Sequence, residues 1–331
     1  MCPKVTIIVV TYNSENCIGG LLEDLLKTKY DNFEVVIVDN NSVDRTKAII
    51  RKLVNHRIKV YFNDRNYGYA GAIIRVWPKN SKYVVILNPD VRIPDDKWLI
   101  KFIRILENNK NIGAAQPILI KLDGDIWSAG GRLDILGYPH GVYNIESTKT
   151  TYSTFFASGA FLIIRNEAYI KVGGFYPNYF LYYDETDLCW RFWKAGYKVV
   201  VVPHIIAIHM GGASVKTLRE KDLLIMYLSE RNRLVILYRN YSIRETGFLL
   251  LSVLILTGSI VKMLVLKRYE YVAVKTRALI DALIMMKHTN RSKAPNTSLL
   301  KVGIIINISL IHIINDLWED FKELIARIPR H

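Results

Sequence analysis

Cysteine is scarce in this chain: 331 residues hold only Cys2, Cys17 and Cys189. An odd number with no metal-ligand spacing argues against a disulfide framework and a zinc site, and points to free thiols in a reducing compartment. A secretory leader is not expected either. The N-terminus has Lys4 and a short apolar run ending at Thr11-Tyr12-Asn13, too short for a signal core plus cleavage site. The expectation is therefore a catalytic part on the cytoplasmic side. No Gly-X-Gly-X-X-Gly follows the first strand, and no Walker loop or serine nucleophile elbow is visible. Dinucleotide-dependent enzymes, P-loop NTPases and serine hydrolases are disfavoured accordingly. No internal repeat or low-complexity segment stands out.

What is present is apolar and basic. Half the residues are hydrophobic and the formal net charge is +15, of which +9 falls after residue 215. A tail both basic and apolar points to anionic membrane surfaces before nucleic acid, because the charge lies beside apolar stretches and not in aromatic-interleaved basic motifs.

The first hundred residues alternate short β-branched runs with helical patterns. Strands are expected at Val5–Val10, Phe33–Asp39, Ile58–Phe62 and Tyr83–Leu87, with helices near Cys17–Lys27, Asp44–Val54 and Asp95–Glu107. Strands that are apolar on both faces and alternate with helices imply a parallel, doubly wound α/β sheet. Polar turns follow each strand: Thr11-Tyr12-Asn13, Asp39-Asn40-Asn41-Ser42, Asn63-Asp64-Arg65-Asn66 and Asn88-Pro89-Asp90. One rim of the sheet is thus lined with hydroxyls, amides and carboxylates, at the strand ends where ligands bind in open α/β sheets. From Ile112 to about Gly212 the pattern is mixed, with strand-like Phe161–Ile164 and Lys198–Val202.

Acidic residues then mark a second cluster. Asp184, Glu185 and Asp187 open an apparent helix directly after the aromatic run Phe180–Tyr183. Carboxylates beside buried aromatics must be paired, metal-bound or chemically employed. Together with Asp90 at a strand end, they suggest metal-assisted group transfer. Helix-start acids favoured by the macrodipole are the plainer alternative, and explain one or two of the three. Trp190 and Trp193, three apart on that helix, read as core.

In their order, these pieces resemble the family 2 inverting nucleotide-sugar glycosyltransferases, in particular the rhamnosyltransferase-like branch. The matching residues are Thr-Ile-Ile-Val-Val-Thr-Tyr-Asn (6–13), Val-Asp-Asn-Asn-Ser (38–42), Asn66-Tyr67-Gly68-Tyr69-Ala70 and Leu-Asn-Pro-Asp (87–90). Gly173-Gly174-Phe175, Asp184-Glu185-Thr186-Asp187-Leu188 and Ile208-His209 before Gly211-Gly212-Ala213-Ser214 complete the set. The resemblance covers roughly residues 4–215. It implies a GT-A nucleotide-diphospho-sugar transferase fold over residues 1–222, its nucleotide half at about 1–110 and its acceptor half at about 111–222. A helical, membrane-associating region over 223–331 would follow. Two departures stand out: Ala72, Ile73 and Ile74 follow Gly71 where a second glycine and an asparagine are usual, and the acidic pair is Asp184-Glu185 in place of Glu-Asp.

The resemblance also implies roles. Thr11, Tyr12, Asn13, Asp39, Asn66, Gly68, Asn88 and Asp90 would bind the nucleotide sugar, with Asp39 accepting from a pyrimidine imide. Turn capping for Thr11 and Asn13, and an Asx turn for Asp39, are the ordinary alternatives. Asp90 and His209 would hold Mg²⁺ or Mn²⁺, with phosphate oxygens and water completing the shell. Glu185 would be the general base, with Asp184 and Asp187 orienting the acceptor or capping the helix.

Thr246–Leu266 is apolar over 21 residues with Lys262 its single charge, and a second apolar stretch runs over Val302–Leu317. The first is long enough to span a bilayer. Basic residues flank it on both sides, which conflicts with the positive-inside preference and favours helices dipping into the cytoplasmic leaflet. A hairpin packed on the catalytic domain or at a homodimer interface is the alternative. The expected function is metal-dependent transfer of a hexosyl or deoxyhexosyl group from a nucleoside-diphosphate donor to a lipid-linked or polysaccharide acceptor. A sugar-nucleotide pyrophosphorylase-like enzyme and a catalytically inactive, membrane-anchored glycan-binding protein are the competing readings.

Overall fold

The computed structural model describes residues 2–211, 218–291 and 305–306. Gly212, Ala213 and Ser214 lie outside the described residues, as does the 302–317 stretch apart from Ile305–Ile306. The chain forms two compact units: one takes residues through Arg132 with Gly141–Lys221, the other Leu133–His140 with Asp222–Arg291.

The first unit begins with β1 (Val5–Thr11), α1 (Ile18–Leu26), β2 (Phe33–Asp39), α2 (Thr46–Leu53), β3 (Ile58–Phe62), α3 (Gly68–Arg75) and β4 (Tyr83–Leu87). It continues through β5 (Val91–Arg92), α4 (Trp98–Asn108), β6 (Ile112–Ile120), β7 (Ile126–Ser128) and the start of β8 (Gly131–Asp134). After β9 (Pro139–Gly141) come β10 (Tyr152–Ser153), β11 (Phe161–Arg165), α5 (Asn166–Lys171), α6 (Asp184–Lys194) and β12 (Lys198–His209). The sheet order is β10-β12-β6-β11-β4-β1-β2-β3, with β5 paired to β12 and β7 to β6. β3, β2, β1 and β4 run parallel, and β11 enters antiparallel between β4 and β6.

Both faces of β1 and β4 are covered, which is why these strands read as nearly continuous apolar runs, whereas the edge strand β3 is partly exposed. Ile7, Val9, Val35, Ile37, Val85 and Leu87 pack with Leu21, Ile50, Trp98 and Phe102 from α1, α2 and α4. The alternate residues Ile8, Val36, Val38, Val84 and Ile86 pack with Ala70, Ile73, Leu188 and Phe192 from α3 and α6. The connection from β3 back across β1 to β4 makes a topological switch, so a crevice opens at the carboxyl ends of β1 and β4. Thr11 and Asp39 are register partners at that rim.

One departure from the sequence reading lies here. The sequence reading places no helix between Asn66 and Tyr83, yet Gly68–Arg75 is helical. Ala70, Ala72 and Ile73 are fully buried against the sheet, so packing of a small-residue face outweighs the low helix propensity of Gly68 and Gly71.

The second unit contains most of α7 (Leu218–Asn240), then α8 (Thr246–Val265) and α9 (Tyr269–Lys287). Arg233 donates to the Leu136 carbonyl (2.9 Å), and so does Ser252 (3.3 Å). Tyr227 and Arg277 both donate to Asp281, at 2.6 and 2.7 Å. Lys275 on α9 reaches Ser259 on α8 at 2.7 Å. Ile243–Val265 is long and apolar enough to cross a bilayer, with a mean hydropathy of 2.4.

Candidate functional site

At the carboxyl ends of β1 and β2 the polar side chains bind one another. The fully buried Asp39 carboxylate accepts from Thr11 Oγ1 (2.9 Å) and from the Ser42 hydroxyl (2.5 Å) and amide (2.9 Å). Asp39 thus holds its own turn through Ser42, three residues on and one beyond the span of an Asx turn, and Lys47 Nζ stands 4.0 Å away. Asn13, at a left-handed φ of 50°, receives the Val43 amide on its side chain (3.0 Å) and donates its own amide to Ser42 Oγ (2.9 Å). Tyr12 is exposed beside them. These bonds fix the rim before any ligand arrives.

The next strand end is tied in through α3. Asn66 Oδ1 takes the Gly68 amide (2.8 Å), and Asn40 Nδ2 donates to the Gly68 carbonyl (2.9 Å). Gly68 has φ +75°, and a Cβ there would stand 2.2 Å from the Phe180 carbonyl oxygen. That carbonyl accepts the Tyr69 amide at 2.7 Å. Glycine is needed on two counts, handedness and space.

Asp90 and His209 come together as neighbours. β5 pairs with the end of β12, setting His209 opposite Val91, and the Met210 amide binds the Asp90 carbonyl at 3.0 Å. Asp90 Oδ1 and His209 Nε2 lie 3.4 Å apart. Neither His209 ring nitrogen has a hydrogen-bond partner, although both are buried. The pair is at ion-pair distance without the alignment of a hydrogen bond. Two ligands on adjacent corners of an octahedral Mg²⁺ site lie about 3 Å apart, given bonds of about 2.1 Å, so these donors fit a divalent cation. Among the described residues no three His, Cys, Asp or Glu side chains cluster for a metal; substrate oxygens or water would have to complete the shell. Asn88, half-buried, holds its place by donating its amide to the Ala160 carbonyl (2.9 Å).

The acidic helix is entered through strained backbone. Phe180, Tyr182 and Tyr183 all have positive φ, at 73°, 64° and 70°. For bulky residues this conformation costs of order 1–3 kcal/mol each and is characteristic of functional loops. The three acids of α6 then diverge. Asp187 is fully buried and grips Arg191, whose Nε and Nη2 donate to Oδ2 at 3.0 and 2.7 Å. Asp184 is buried at the helix start. Glu185 is half-buried and opens onto a cleft of about 920 Å³ lined also by Lys121, Trp127, Tyr143, Phe156 and Ser158. Burial pushes the Glu185 carboxyl above its ordinary range, partly offset by its own amide and that of Gly159.

Trp127 and Ser158 line this cleft and have no signal in the sequence beyond the small-residue run Ser158-Gly159-Ala160 directly before β11. The Trp127 ring packs, tilted, against His209, ring centroids 4.0 Å apart. Tyr69, within the 66–70 motif, donates its hydroxyl to the Gly159 carbonyl at 2.5 Å.

The profile described as Glycosyl transferase family 2 matches residues 6–173, just over half of the chain. The chain is 25% identical to the low-salt glycan biosynthesis hexosyltransferase Agl10 of Haloferax volcanii, over 82% of this chain and 89% of that protein. It is 24% identical to the N-acetylglucosaminyl-diphospho-decaprenol L-rhamnosyltransferase of Mycobacterium tuberculosis, over 63% of this chain and 76% of that one. Two further relatives are much longer, and the chain spans only 25% and 19% of their length. Among solved structures, the mannosyltransferase PcManGT from Pyrobaculum calidifontis, in complex with GDP-Man and Mn²⁺, has a TM-score of 0.53 at 17% identity, over 87% of this chain and 88% of that chain. That likeness is one of fold. With a profile match running from β1 through the strand-end motifs to Gly173, the chain belongs to glycosyl transferase family 2.

Proposed function

We propose that the enzyme is inverting and cation-assisted, moving a hexosyl or deoxyhexosyl group from a nucleoside-diphosphate sugar to a hydroxyl of a lipid-linked or polysaccharide acceptor. The observation that carries this reading is the half-buried Glu185 carboxyl at a cleft whose Trp127 wall packs against His209, itself 3.4 Å from Asp90. The nucleoside would lie along the rim formed by Thr11, Tyr12, Asn13, Asp39, Asn66, Gly68 and Asn88. Asp39 keeps acceptor capacity on Oδ2 for a base N–H, since a carboxylate offers about four lone-pair sites. Asp90 and His209 would hold Mg²⁺ or Mn²⁺, whose chemistry when bound is to neutralise charge on the leaving diphosphate.

Glu185 takes the proton of the acceptor hydroxyl as its oxygen attacks the anomeric carbon. The new glycosidic bond forms on the face opposite the breaking bond to the diphosphate, so configuration inverts. Asp187 acts at one remove, its bond to Arg191 fixing the helix that presents Glu185. The rhamnosyl and hexosyl transfer named for the relatives supports the sugar class, and the diphospho-decaprenol of one supports a lipid-linked acceptor.

The second unit supports attachment to the cytoplasmic face of the cell membrane, with α8 lying in the leaflet. α9 packs along α8 and carries Glu270, Lys275, Arg277, Asp281 and Lys287. If α8 crossed the bilayer in this hairpin, it would draw those charges into hydrocarbon, which is costly. In the plane, the exposed Leu250, Leu254, Val261 and Leu264 of α8 face lipid and the basic residues of α9 meet anionic headgroups.

Release of nucleoside diphosphate from a panel of UDP-, GDP- and dTDP-sugars, with Mn²⁺ and with chelator, tests the reading. Asp90→Ala is expected to abolish transfer and weaken nucleoside-diphosphate binding in Mn²⁺. Full activity of that variant in chelator would remove the cation from the mechanism.

A further inference from the structure

The short strand that follows the Asn88–Asp90 turn is gripped by a carboxylate from a helix far back in the chain. Asp24 is among the buried residues of α1, with Leu21, Leu22 and Leu25. Its Oδ2 and Oδ1 accept Arg92 Nε and Nη2 at 2.7 and 3.0 Å, and Oδ2 also takes the Ile93 amide at 3.0 Å. Gly20, one turn earlier on α1, leaves room for the guanidinium: a Cβ there would stand 2.7 Å from Arg92 Nη1. Burying a carboxylate is costly even when it is paired, so such a contact is weak as a source of stability. What a two-point fork supplies is a fixed position and direction.

The strand it holds has little else to place it. β5 is two residues long, and the end of β12 is its partner in the sheet. That pairing sets Ile208 opposite Arg92 and His209 opposite Val91. The turn before β5 closes through the Val91 amide on the Asn88 carbonyl at 3.3 Å, with Asp90 inside it. The anchored segment thus carries Asp90 at its start and is paired to the strand that carries His209. A displacement of β5 would change the 3.4 Å separation of Asp90 and His209. Among the described residues no third His, Cys, Asp or Glu joins that pair, so chelation depends on the spacing of the two.

We propose that Asp24 is a positioning residue for the divalent cation, holding β5 through Arg92 and Ile93 so that Asp90 and His209 stay at ligand spacing. This rests on Asp90 and His209 being the protein ligands of the cation. Asp24 offers no ligand itself, since both its oxygens are engaged by Arg92 and Ile93. Its loss therefore weakens cation binding through the β5 backbone. The rim at Thr11, Asp39 and Asn66 belongs to other turns and keeps its own hydrogen bonds.

The test is Mn²⁺ binding by the full chain, followed by the electron paramagnetic resonance signal of the free aqueous ion. UDP, GDP or dTDP is present, whichever the wild type binds. Asp24→Asn keeps the shape of the side chain but turns a donor toward the guanidinium in place of an acceptor. Its Mn²⁺ Kd is expected to rise roughly tenfold, the lower end of the range for residues that orient metal ligands. Binding of the same nucleotide in chelator should be unchanged, which a general loss of structure would not allow. Gly20→Ala reaches the same fork from the helix. The added methyl displaces the guanidinium while alanine favours the helix, so this variant supplies the answer if the asparagine variant does not fold. It should also weaken Mn²⁺ binding, and the double variant should bind no more weakly than Asp24→Asn, because both changes act through one contact. Unchanged Mn²⁺ affinity in either single variant, additive losses in the double, or a loss shared by nucleotide binding in chelator overturns the proposal and leaves Asp90 and His209 as ligands. Wild-type Mn²⁺ affinity in Asp90→Ala overturns the cation site itself.

Discussion

Gly68→Ala isolates the point where α3 meets the loop before the acidic helix. At φ +75° an alanine adopts a left-handed conformation, which costs about 1–2 kcal/mol for an L-residue. Its Cβ would also lie 2.2 Å from the Phe180 carbonyl oxygen, far inside van der Waals contact, and backbone faces backbone, so no side chain can swing aside. Relief requires separating the two segments, which gives up the 2.7 Å bond from the Tyr69 amide to that same carbonyl, worth about 0.5–1.5 kcal/mol. Together these come to about 1.5–3.5 kcal/mol, and at roughly 2–4 °C per kcal/mol for a domain of 150–250 residues the Tm should fall by roughly 3–14 °C. The assay is thermal unfolding followed by circular dichroism, paired with nucleoside-diphosphate titration in Mn²⁺. Binding should weaken as well, because the Gly68 carbonyl and amide anchor Asn40 and Asn66 at the rim. A Tm within about 2 °C of wild type would refute the close approach of Gly68 and Phe180.

Other outcomes test separate parts of the molecule. Leu250→Glu with Leu254→Glu should leave folding intact, since both side chains are largely exposed, yet release the protein from anionic vesicles. Unchanged vesicle binding would contradict the in-plane membrane surface, and a loss of dimer in the same variant would assign that face to a second copy. Burial pushes the Glu34 carboxyl up, but Lys59, Lys4 and Thr6 outweigh it and hold the pKa down to about 2. Its contribution to stability is present above the unfolded pKa near 4.3 and is lost as pH falls toward 2. Glu34→Gln should therefore lower the Tm at pH 7 and make no difference near pH 2; an equal loss at both would show that the charge is not what matters.

The parallel strands were legible because burial on both faces leaves a signal that needs no partner to be seen: Tyr83–Leu87 is apolar at every position, and Val5–Val10 at every position but Thr6. The rim residues were legible for the complementary reason, since Thr11, Asp39 and Asn88–Asp90 stand where apolar runs stop. The longer β12, which reaches His209, was foreseen only to Val202, because Pro203 and His204 interrupt its pattern where the structure has an irregular register. α3 was hidden by its glycines, and its helical form depends on the sheet it covers. The left-handed Phe180, Tyr182 and Tyr183 gave no sign, as no glycine or asparagine stands where the backbone turns. Trp127 was also silent, because its meaning lies in a partner far along the chain, His209. Composition alone does not separate the three acids and only the resemblance singled out Glu185; in the structure Asp187 is fully buried on Arg191 while Glu185 lines the cleft.

The most direct measurement is the turnover of Glu185→Gln with the nucleotide sugar that the wild type consumes, alongside its affinity for the matching nucleoside diphosphate in Mn²⁺. The amide keeps the shape of the side chain and cannot take a proton. Turnover should fall by roughly 10²–10⁴-fold, the range of general-base catalysis, with affinity nearly unchanged. If Glu185→Gln turns over at close to the wild-type rate, or if Asp184→Asn or Asp187→Asn is the crippling change while Glu185→Gln is mild, Glu185 is not the base.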